Sequence, residues 1–405
     1  MAENKLKTKD FIVWSISILF FLYEFFLRTV TGSYQNPLMQ DLNISALQFS
    51  LMSSTMFVLL YGSMQIPVGF IISRIGIKKS LLIGTFFCAV SSIGFSYSPT
   101  YACALTCRMV MGFGASFGFM CVLMVVQERM PRKHIALFIG LSQFIGTLGP
   151  MLAAGPLHTT NISWRPVFIY LGLFGAFLVL LVLFLVENTA QHKQEKISFS
   201  FKKLFSNAWP WYIALISTGL YIALDYLSAN EGRTFLALKG ITPSSAAYMI
   251  SLGWAGYAIG CPLLGFLSDK LNRKTQTLQL SAILGFVTLL IILYAPSTSL
   301  LHLVFFLLGI SASGLGVGLA MVSEQTDKQL VVIGFGLTNA MISITASINA
   351  PLIGLLLDSS DRAKPASLSH YLLSFTPLLV MSAIALVVSL FFIKKTYLKP
   401  SFLPA

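Results

Sequence analysis

The first long apolar segment of the chain carries four polar residues at helical spacing. Glu24, Arg28, Thr31 and Gln35 follow one another at intervals of four, three and four residues, on a segment built otherwise of apolar side chains. On an α-helix this spacing places all four along one stripe. A carboxyl group one turn from a guanidinium could carry a proton or bind an ion, and such a pair could also serve only to neutralise its own charges.

A later apolar segment carries a similar stripe with the opposite charge. Its polar residues at helical spacing are Thr218, Tyr221, Asp225 and Ser228. Asp225 stands 197 residues after Arg28, and Arg108 is a further charge within an apolar stretch. An ionised side chain at the centre of a membrane helix costs about 2.5–3.5 kcal/mol, so four facing lipid would cost roughly 10–14 kcal/mol. We therefore expect Glu24 and these three charges to face a watery cavity or one another.

The charged groups suggest how a solute could be held. We expect Arg28 and Arg108 to bind an anionic group, such as a carboxylate, through forked hydrogen bonds. Asp225 would hold a cationic group, take part in proton coupling, or pair with Arg28 when the site is empty, and Glu24 is the candidate proton carrier. The other residues expected to bind solute are Thr31, Gln35, Gln143, Tyr221 and Asn339. Hydrogen bonding between helices is the alternative role for the amides, and a structural ion pair is the alternative for Asp225.

Composition identifies lipid as the main surroundings of this chain. Of 405 residues, 56% are hydrophobic and 10% charged, with a mean hydropathy of +0.80. Twelve apolar stretches are long enough, or nearly so, to cross a bilayer, and they are continuous rather than alternating, which excludes a β-barrel. They lie at 11–36, 46–72, 80–98, 101–126, 134–157, 167–186, 209–229, 244–267, 276–295, 300–322, 330–356 and 371–393. The sequence predicts an all-α membrane protein with twelve transmembrane helices.

The basic residues indicate how these helices are oriented. With the N-terminus in the cytoplasm, 20 of the 27 Lys and Arg residues fall on the cytoplasmic side, five on the opposite side and two within the membrane. This asymmetry follows the positive-inside rule and predicts that both termini are cytoplasmic. It also assigns the net charge of +13 to the membrane surface, so we expect no nucleic-acid partner.

Three sequence matches recur at one offset of 196 residues. They pair the segment 69–79 with 265–274, Glu128 with Glu324, and 140–143 with 336–339. Two related halves in a strongly apolar chain are typical of alternating-access transporters. We predict an N-terminal six-helix bundle at 1–187, a polar cytoplasmic linker at 188–207 and a C-terminal six-helix bundle at 208–405.

Two helix starts are marked by their capping residues. Ser45, with Gln48 three residues later, predicts a capping box. Thr242 followed by Pro243 predicts a second start, because proline is favoured at the first helical position.

The repeated segment is rich in glycine and basic residues. Its first copy reads G-x-x-x-S-R-x-G-x-K-K, and the second copy has Asp269 and Lys270 where the first has Ser73 and Arg74. This pattern resembles the signature loop of the major facilitator superfamily. Residues 108–114 resemble a second motif of that family, R-x-x-x-G-x-G. The resemblance implies two pseudo-symmetric six-helix bundles and a conformational role for the loops.

The residues expected to act in that conformational role form the two loop copies. They are Gly69, Arg74, Gly76, Lys78, Lys79, Gly265, Asp269 and Lys270. Their positive side chains would lie near helix ends and pair with acids of neighbouring helices in one state of the transporter only. The alternative is that the basic residues serve topology alone.

The likeness extends to the first helix. Glu24 to Arg28 resembles the E-x-x-E-R motif of proton-coupled oligopeptide transporters, with Leu27 where the second acid would stand. This resemblance favours amino acids or short peptides as solutes.

Taken with the charges, these patterns predict a monomeric secondary transporter of a bacterial inner membrane, without a cofactor. We expect it to move a small charged or zwitterionic organic solute, such as an amino acid, short peptide or organic acid, together with protons. The alternatives are an exporter of drugs or metabolites such as siderophores, an organic-anion exchanger, and a non-transporting membrane sensor. The sequence lacks G-x-x-x-x-G-K-[ST], which argues against a primary pump, and a nucleophile–base pair or metal cluster, which argues against an enzyme.

Overall fold

The computed structural model describes residues 8–131, 135–160, 162–187, 208–296, 299–325, 328–358 and 367–393. Within these ranges the regular structure is entirely helical. The predicted linker at 188–207 and both termini lie outside the described residues, so the domain boundaries and the side of the termini stay predictions.

In the described residues of the first half, 8–187, there are eight α-helices, numbered here α1 to α8. They are α1 (Thr8–Thr29), α2 (Gln35–Asp41), α3 (Ala46–Ser50), α4 (Met56–Ser96), α5 (Tyr101–Ala115), α6 (Phe117–Arg129), α7 (Ile135–Ala154) and α8 (Trp164–Leu185). A 3-10 segment, Val30–Tyr34, joins α1 to α2, and a π-helical turn, Leu51–Thr55, joins α3 to α4. A further 3-10 segment, Pro156–Thr160, follows α7.

The second half, residues 208–393, continues with nine α-helices in the described ranges. They are α9 (Trp209–Ala229), α10 (Gly232–Leu238), α11 (Pro243–Leu271), α12 (Lys274–Tyr294), α13 (Leu300–Ala312), α14 (Gly314–Gln325), α15 (Lys328–Asp358), α16 (Leu368–Ser374) and α17 (Thr376–Phe391). Each of the twelve predicted apolar stretches coincides with helical structure.

Ten helices in the described residues are long and apolar enough to cross a membrane. The pair α16 and α17, bent by 42°, gives an eleventh if it is one span, and Phe138–Ala154 is a shorter apolar helix. The all-helical membrane architecture is therefore confirmed, while the count of twelve spans stays a prediction.

Both predicted helix starts are present. The Ser45 side chain accepts a hydrogen bond from the Gln48 amide, and the Gln48 side chain accepts one from the Ser45 amide, which completes the capping box. The Thr242 side chain accepts from the Ser245 amide at the start of α11. The first cap begins α3, which continues through the π-helical turn into α4, and the second begins α11.

The two basic loops break their helices at equivalent residues. Gly76 interrupts α4 with φ 81° and ψ 167°, a conformation that is accessible essentially only to glycine. Asn272, 196 residues later, ends α11 in the left-handed conformation with φ 51°, which asparagine tolerates better than most residues. The repeat is thus visible in the backbone as well as in the sequence.

The helices pack alike in the two halves. In the first half α1 packs on α7 and α4 packs on α5, and in the second half α9 packs on α15 and α11 packs on α13. The halves meet where α7 contacts α11 and where α15 contacts α3 and α4. Between them, α1 and α9 bring their polar stripes together, and this pairing builds the site.

The two ends of the bundle differ in their contacts. At the end with the basic loops, Lys9 donates a hydrogen bond to Glu187 and Lys78 donates one to the Leu183 carbonyl, both within the first half. At the opposite end, called here the distal end, the halves touch. A Cβ at Gly32 would overlap the Ser228 carbonyl oxygen of α9, so glycine is required there.

Candidate functional site

An ion pair between the halves lies at the centre of the structure. The Arg28 Nη2 donates to the Asp225 Oδ2 at 2.9 Å, and the two residues are 5% and 2% exposed. A buried pair of this kind persists because each charge compensates the other in low-dielectric surroundings. Arg28 and Asp225 therefore pair with each other across the two halves. The Nε of Arg28 has no hydrogen-bond partner among the described residues.

Aromatic rings surround this guanidinium. The Cζ of Arg28 lies 5.7 Å from the ring centroid of Phe25, 6.0 Å from that of Tyr61 and 5.7 Å from that of Tyr221. Ring faces are electronegative, so each contact within about 6 Å favours the cation. The aromatic cage thus holds a positive charge that the apolar helices around it would otherwise exclude.

Beside the cage is a cavity between the halves. Its volume is about 60 Å³. Its polar lining comes from Arg28, Gln143, Asn339 and Ser343 together with three tyrosines, and Phe21, Phe25 and Phe119 add apolar faces. The cavity is small, partly polar and positively charged at one wall.

The cavity lining reveals residues that the sequence reasoning missed. Tyr61 and Tyr257 both line it, and they stand 196 residues apart, the offset of the repeat. Three further lining pairs share that offset: Phe25 with Tyr221, Phe119 with Leu315, and Gln143 with Asn339. Applying the repeat offset to single aromatic residues would have found Tyr61 and Tyr257. Hydropathy could not, because it averages over a window and does not single out individual residues.

Glu24 lies one turn from Arg28 on α1 and is fully buried. Neither carboxyl oxygen has a hydrogen-bond partner among the described residues. Glycine at position 118 leaves room for it, since a Cβ there would approach the Glu24 Cγ to 2.8 Å. A buried carboxyl without donors is costly when ionised, so this environment suits a group that holds a proton.

Arg108 has partners different from those expected of a solute-binding arginine. Its Nη1 donates to the Leu27 carbonyl at 2.8 Å, its Nη2 to the Ser53 carbonyl at 2.6 Å, and its Nε to the Met52 carbonyl at 3.2 Å. The guanidinium also lies 4.5 Å from the Phe57 ring centroid. It does not contribute to the described lining of the cavity. We therefore leave Arg108 out of the proposed binding site.

The remaining predicted binding residues divide into two groups. Tyr221, Gln143 and Asn339 line the cavity. Thr31 is buried with no hydrogen-bond partner for its hydroxyl among the described residues, whereas the Gln35 Oε1 accepts from the Thr234 hydroxyl at 2.6 Å. The predicted single stripe of four is therefore interrupted: Glu24 and Arg28 lie on α1, whereas Thr31 lies in the 3-10 segment and Gln35 begins α2. Gln35 contacts the other half at the distal end.

The basic loops make local contacts. Lys78 Nζ donates to the Leu183 carbonyl at 2.8 Å near the end of α8, where cations are favoured. In the second copy Asp269 pairs with Lys274 at 2.9 Å, and Lys270 Nζ lies 5.7 Å from the Phe266 ring centroid. Of the other residues predicted for these loops, Gly76 stands at the break in α4. The rest lie within helical segments: Gly69, Arg74 and Lys79 in α4, and Gly265 in α11. Their conformational role stays a prediction.

Known proteins resemble this chain along most of its length. It is 22% identical over 305 residues to the "Probable sulfoacetate transporter SauU" of Cupriavidus necator, which covers 69% of each chain. It is 23% identical over 349 residues to the "Multidrug resistance protein Stp" of Mycobacterium tuberculosis, covering 70% of this chain and 64% of that one. These names describe transporters of different solutes.

The fold has a solved counterpart. A bacterial homologue of the human lysosomal transporter Spinster, in an inward-facing and unoccupied conformation, superposes with a TM-score of 0.74 and 16% identity. The match covers 95% of this chain and 97% of that one. The family model described as Major Facilitator Superfamily matches residues 16–237 and 234–404. The chain therefore belongs to the Major Facilitator Superfamily and is a multi-pass membrane transporter of a solute.

Proposed function

We propose that this protein is a secondary transporter of a small organic anion or zwitterion, whose anionic group binds Arg28. The observation that supports this most directly is the position of the guanidinium in the wall of the central cavity, with its Nε lacking a partner. A carboxylate or sulfonate would complete the forked hydrogen bonding that one contact with Asp225 leaves incomplete. One relative is named as a probable sulfoacetate transporter, and its solute is an organic anion.

Asp225 gives the site a way to respond to its solute. An anion at Arg28 competes with Asp225 for the same cation, and a zwitterion can place its amine beside the displaced carboxylate. Because Arg28 belongs to the first half and Asp225 to the second, solute binding would change the contact between the halves. A ligand shifts a conformational equilibrium only through such differential contacts.

Glu24 is the proposed proton carrier of this transporter. It is buried near Arg28 and without a hydrogen-bond donor, so a proton and a solute anion would favour each other's binding. A proton that enters down a potential of 100 mV supplies about 2.3 kcal/mol, which corresponds to roughly fifty-fold accumulation of solute. We further propose a monomer in a bacterial inner membrane, and the distribution of Lys and Arg supports cytoplasmic termini.

The binding proposal is tested by ligand-induced stabilisation of the purified protein. Sulfoacetate, organic acids, amino acids, dipeptides and sugar phosphates would be screened for a rise in melting temperature. A ligand at one hundred times its Kd stabilises the folded state by about 2.7 kcal/mol. We expect the stabilising compounds to be anionic and Arg28→Lys to lose most of the effect, because lysine cannot form the forked contact.

Asn339→Ala provides the matched control for that screen, since it changes the cavity without altering its charge. It should weaken binding less than Arg28→Lys does. Equal stabilisation of wild type and Arg28→Lys by the same anion would exclude Arg28 as the anchor.

Glu24→Gln tests the coupling. With the solute identified above, uptake into proteoliposomes would be measured with and without an inward proton gradient. We expect the wild type to accumulate solute against its concentration when the gradient is present, and Glu24→Gln only to equilibrate it, because glutamine cannot release a proton. Gradient-driven accumulation by the variant would remove Glu24 from the coupling step.

Export of drugs is the second candidate function. The apolar faces of Phe21, Phe25 and Phe119 in the cavity could hold an aromatic compound, and one relative is named as a multidrug resistance protein. Stabilisation of the protein by hydrophobic cations, and not by anions, in the same screen would favour this candidate.

A further inference from the structure

A third buried carboxyl group, besides Glu24 and Asp225, lies where the halves meet at the distal end. Glu231, between α9 and α10, has no solvent exposure. Its Oε1 accepts a hydrogen bond from the Ser50 hydroxyl of the first half at 3.1 Å, and its Oε2 accepts one from the Tyr226 hydroxyl. The next residue back, Asn230, accepts from the Ser53 hydroxyl. Glu231 is therefore part of the contact that holds the halves together.

A second acid of the C-terminal half, Asp358, also binds α3, the helix that carries Ser50. The carboxylate of Asp358, at the end of α15, accepts from the amides of Ala46 and Leu47 at 3.0 and 3.1 Å. These are the first amides of α3, which have no helical acceptor and favour a negative charge. Asp358 is thus compensated as an anion, and its charge acts on Glu231.

The groups that face Glu231 from the surrounding elements are neutral or acidic. They are the Ser50 hydroxyl of α3, the Tyr226 hydroxyl of α9, Asp358 of α15 and Tyr371 of α16. Arg233 of α10 directs its guanidinium to the Ser33 hydroxyl at 2.9 Å and to the Ala154 carbonyl instead. When the halves are in contact, an ionised Glu231 therefore has hydrogen bonds from Ser50 and Tyr226, but none of these groups is a cation that could pair with it.

We propose that Glu231 is a proton-binding site in the contact between the halves at the distal end. With the proton bound the halves stay in contact there, and release of the proton favours their separation. Burial of a carboxylate without a cation is costly, and separation of the halves would return it to water. The inference rests on the proposed alternating access, and it concerns a site away from Arg28 and Glu24. It gives the transporter a second proton site, which responds to pH without solute.

The direction of the pH dependence follows from the surroundings of the carboxyl. Burial, together with the charge of Asp358, raises the pKa of Glu231 from 4.5 to about 7, against the opposing effect of its hydrogen bonds from Tyr226 and Ser50. With an ordinary pKa in the open state, the proton-linked preference for closure is complete below about pH 4.5 and is lost as pH rises through about 7. Between about pH 5.5 and 8.5 the closed-to-open ratio should fall roughly thirty-fold.

Distance measurement between spin labels tests this inference in the full chain without solute. The five native cysteines would be replaced, and single cysteines would be introduced at Gln40 in the first half and Ser244 in the second to carry the labels. Both positions are exposed at the distal end. Double electron–electron resonance spectroscopy would then report the distribution of distances between the two labels at pH values from about 5.5 to 8.5. We expect the longer distances to gain population as pH rises, and Glu231→Gln to keep the short distance throughout.

Three further variants separate Glu231 from other titrating groups. Glu187→Gln removes an exposed acid at the opposite end, and His370→Gln removes a histidine of α16 that contacts the Leu356 carbonyl. Both should keep the wild-type response. Tyr226→Phe removes a donor to the carboxylate, so it should move the midpoint to higher pH.

Two results would overturn the inference. One is a wild-type distance distribution that does not change with pH, and the other is a Glu231→Gln response like that of the wild type. If Glu231→Gln does not fold, the Tyr226→Phe midpoint decides, and an unchanged midpoint counts against Glu231. None of these results depends on solute, so the binding proposal for Arg28 is tested separately.

Discussion

Replacing Arg28 with methionine should lower the free energy of unfolding by about 3–5 kcal/mol. The substitution leaves Asp225, 2% exposed, as an uncompensated charge between the halves. It also empties the cage formed by Phe25, Tyr61 and Tyr221. The loss would be measured by chemical denaturation in detergent micelles.

A double-mutant cycle separates this stability effect from solute binding. Arg28→Met combined with Asp225→Leu should recover most of the lost stability, because a buried ion pair can be replaced by apolar residues of similar volume at little cost. The double variant should still fail to bind the anionic ligand, since the guanidinium is gone. Additive losses in the two single variants would show that the pair is not coupled. Ligand binding by the stable double variant would contradict the role of Arg28.

Replacing Arg108 with alanine should also destabilise the protein strongly. The guanidinium donates to carbonyls at the end of α1 and in the π-helical turn before α4, where helical geometry leaves carbonyl oxygens without donors. Each buried carbonyl left unpaired costs about 1–3 kcal/mol. With Leu27, Met52 and Ser53 all affected, we expect a loss of at least about 3 kcal/mol and a sharp fall in the yield of folded protein.

Two comparisons test the structural role of Arg108. Arg108→Lys keeps the charge but has a single donor group, so it should recover only part of the stability. Arg165 is a matched control, because it donates to the carbonyls of Ser96 and Ser98 from a half-buried position. Arg165→Ala should cost about 1 kcal/mol. A folded Arg108→Ala protein of wild-type stability that fails to bind ligand would return Arg108 to the solute site.

The stripe of α1 shows how far a local pattern reaches. The spacing of Glu24 and Arg28 predicted one polar helix face, and the structure buries both residues on α1. Helical periodicity is a property of the backbone, so it can be read from the sequence alone. The offset between Arg28 and Asp225 predicted that they correspond in two halves, and the structure joins them at 2.9 Å.

Arg108 shows where such reasoning ends. Its sequence surroundings, an apolar helix, are like those of Arg28, and both were predicted to bind solute. Their partners differ because α5 presents Arg108 to the ends of two other helical segments, whereas α1 presents Arg28 to the opposite half. Which carbonyls lack donors depends on where helices end and how they are packed, and neither is encoded near residue 108.

Glu231 gives a related contrast at the distal end. In the sequence it is one acid in a short connection between apolar segments, where a solvated charge would be ordinary. Contact with Ser50, 181 residues earlier, makes it a buried group at the boundary between the two halves.

The sequence by itself determined that this chain lies in a membrane, that it consists of two related halves, and which helix faces are polar. Hydropathy, repetition and helical spacing are all properties of the chain taken a segment at a time. The tertiary structure decided which charge compensates which, that Arg108 holds helix ends, and that Tyr61 and Tyr257 line the cavity. Those outcomes depend on the rotation and approach of helices distant in sequence, because electrostatic and hydrogen-bond energies change within a few ångströms.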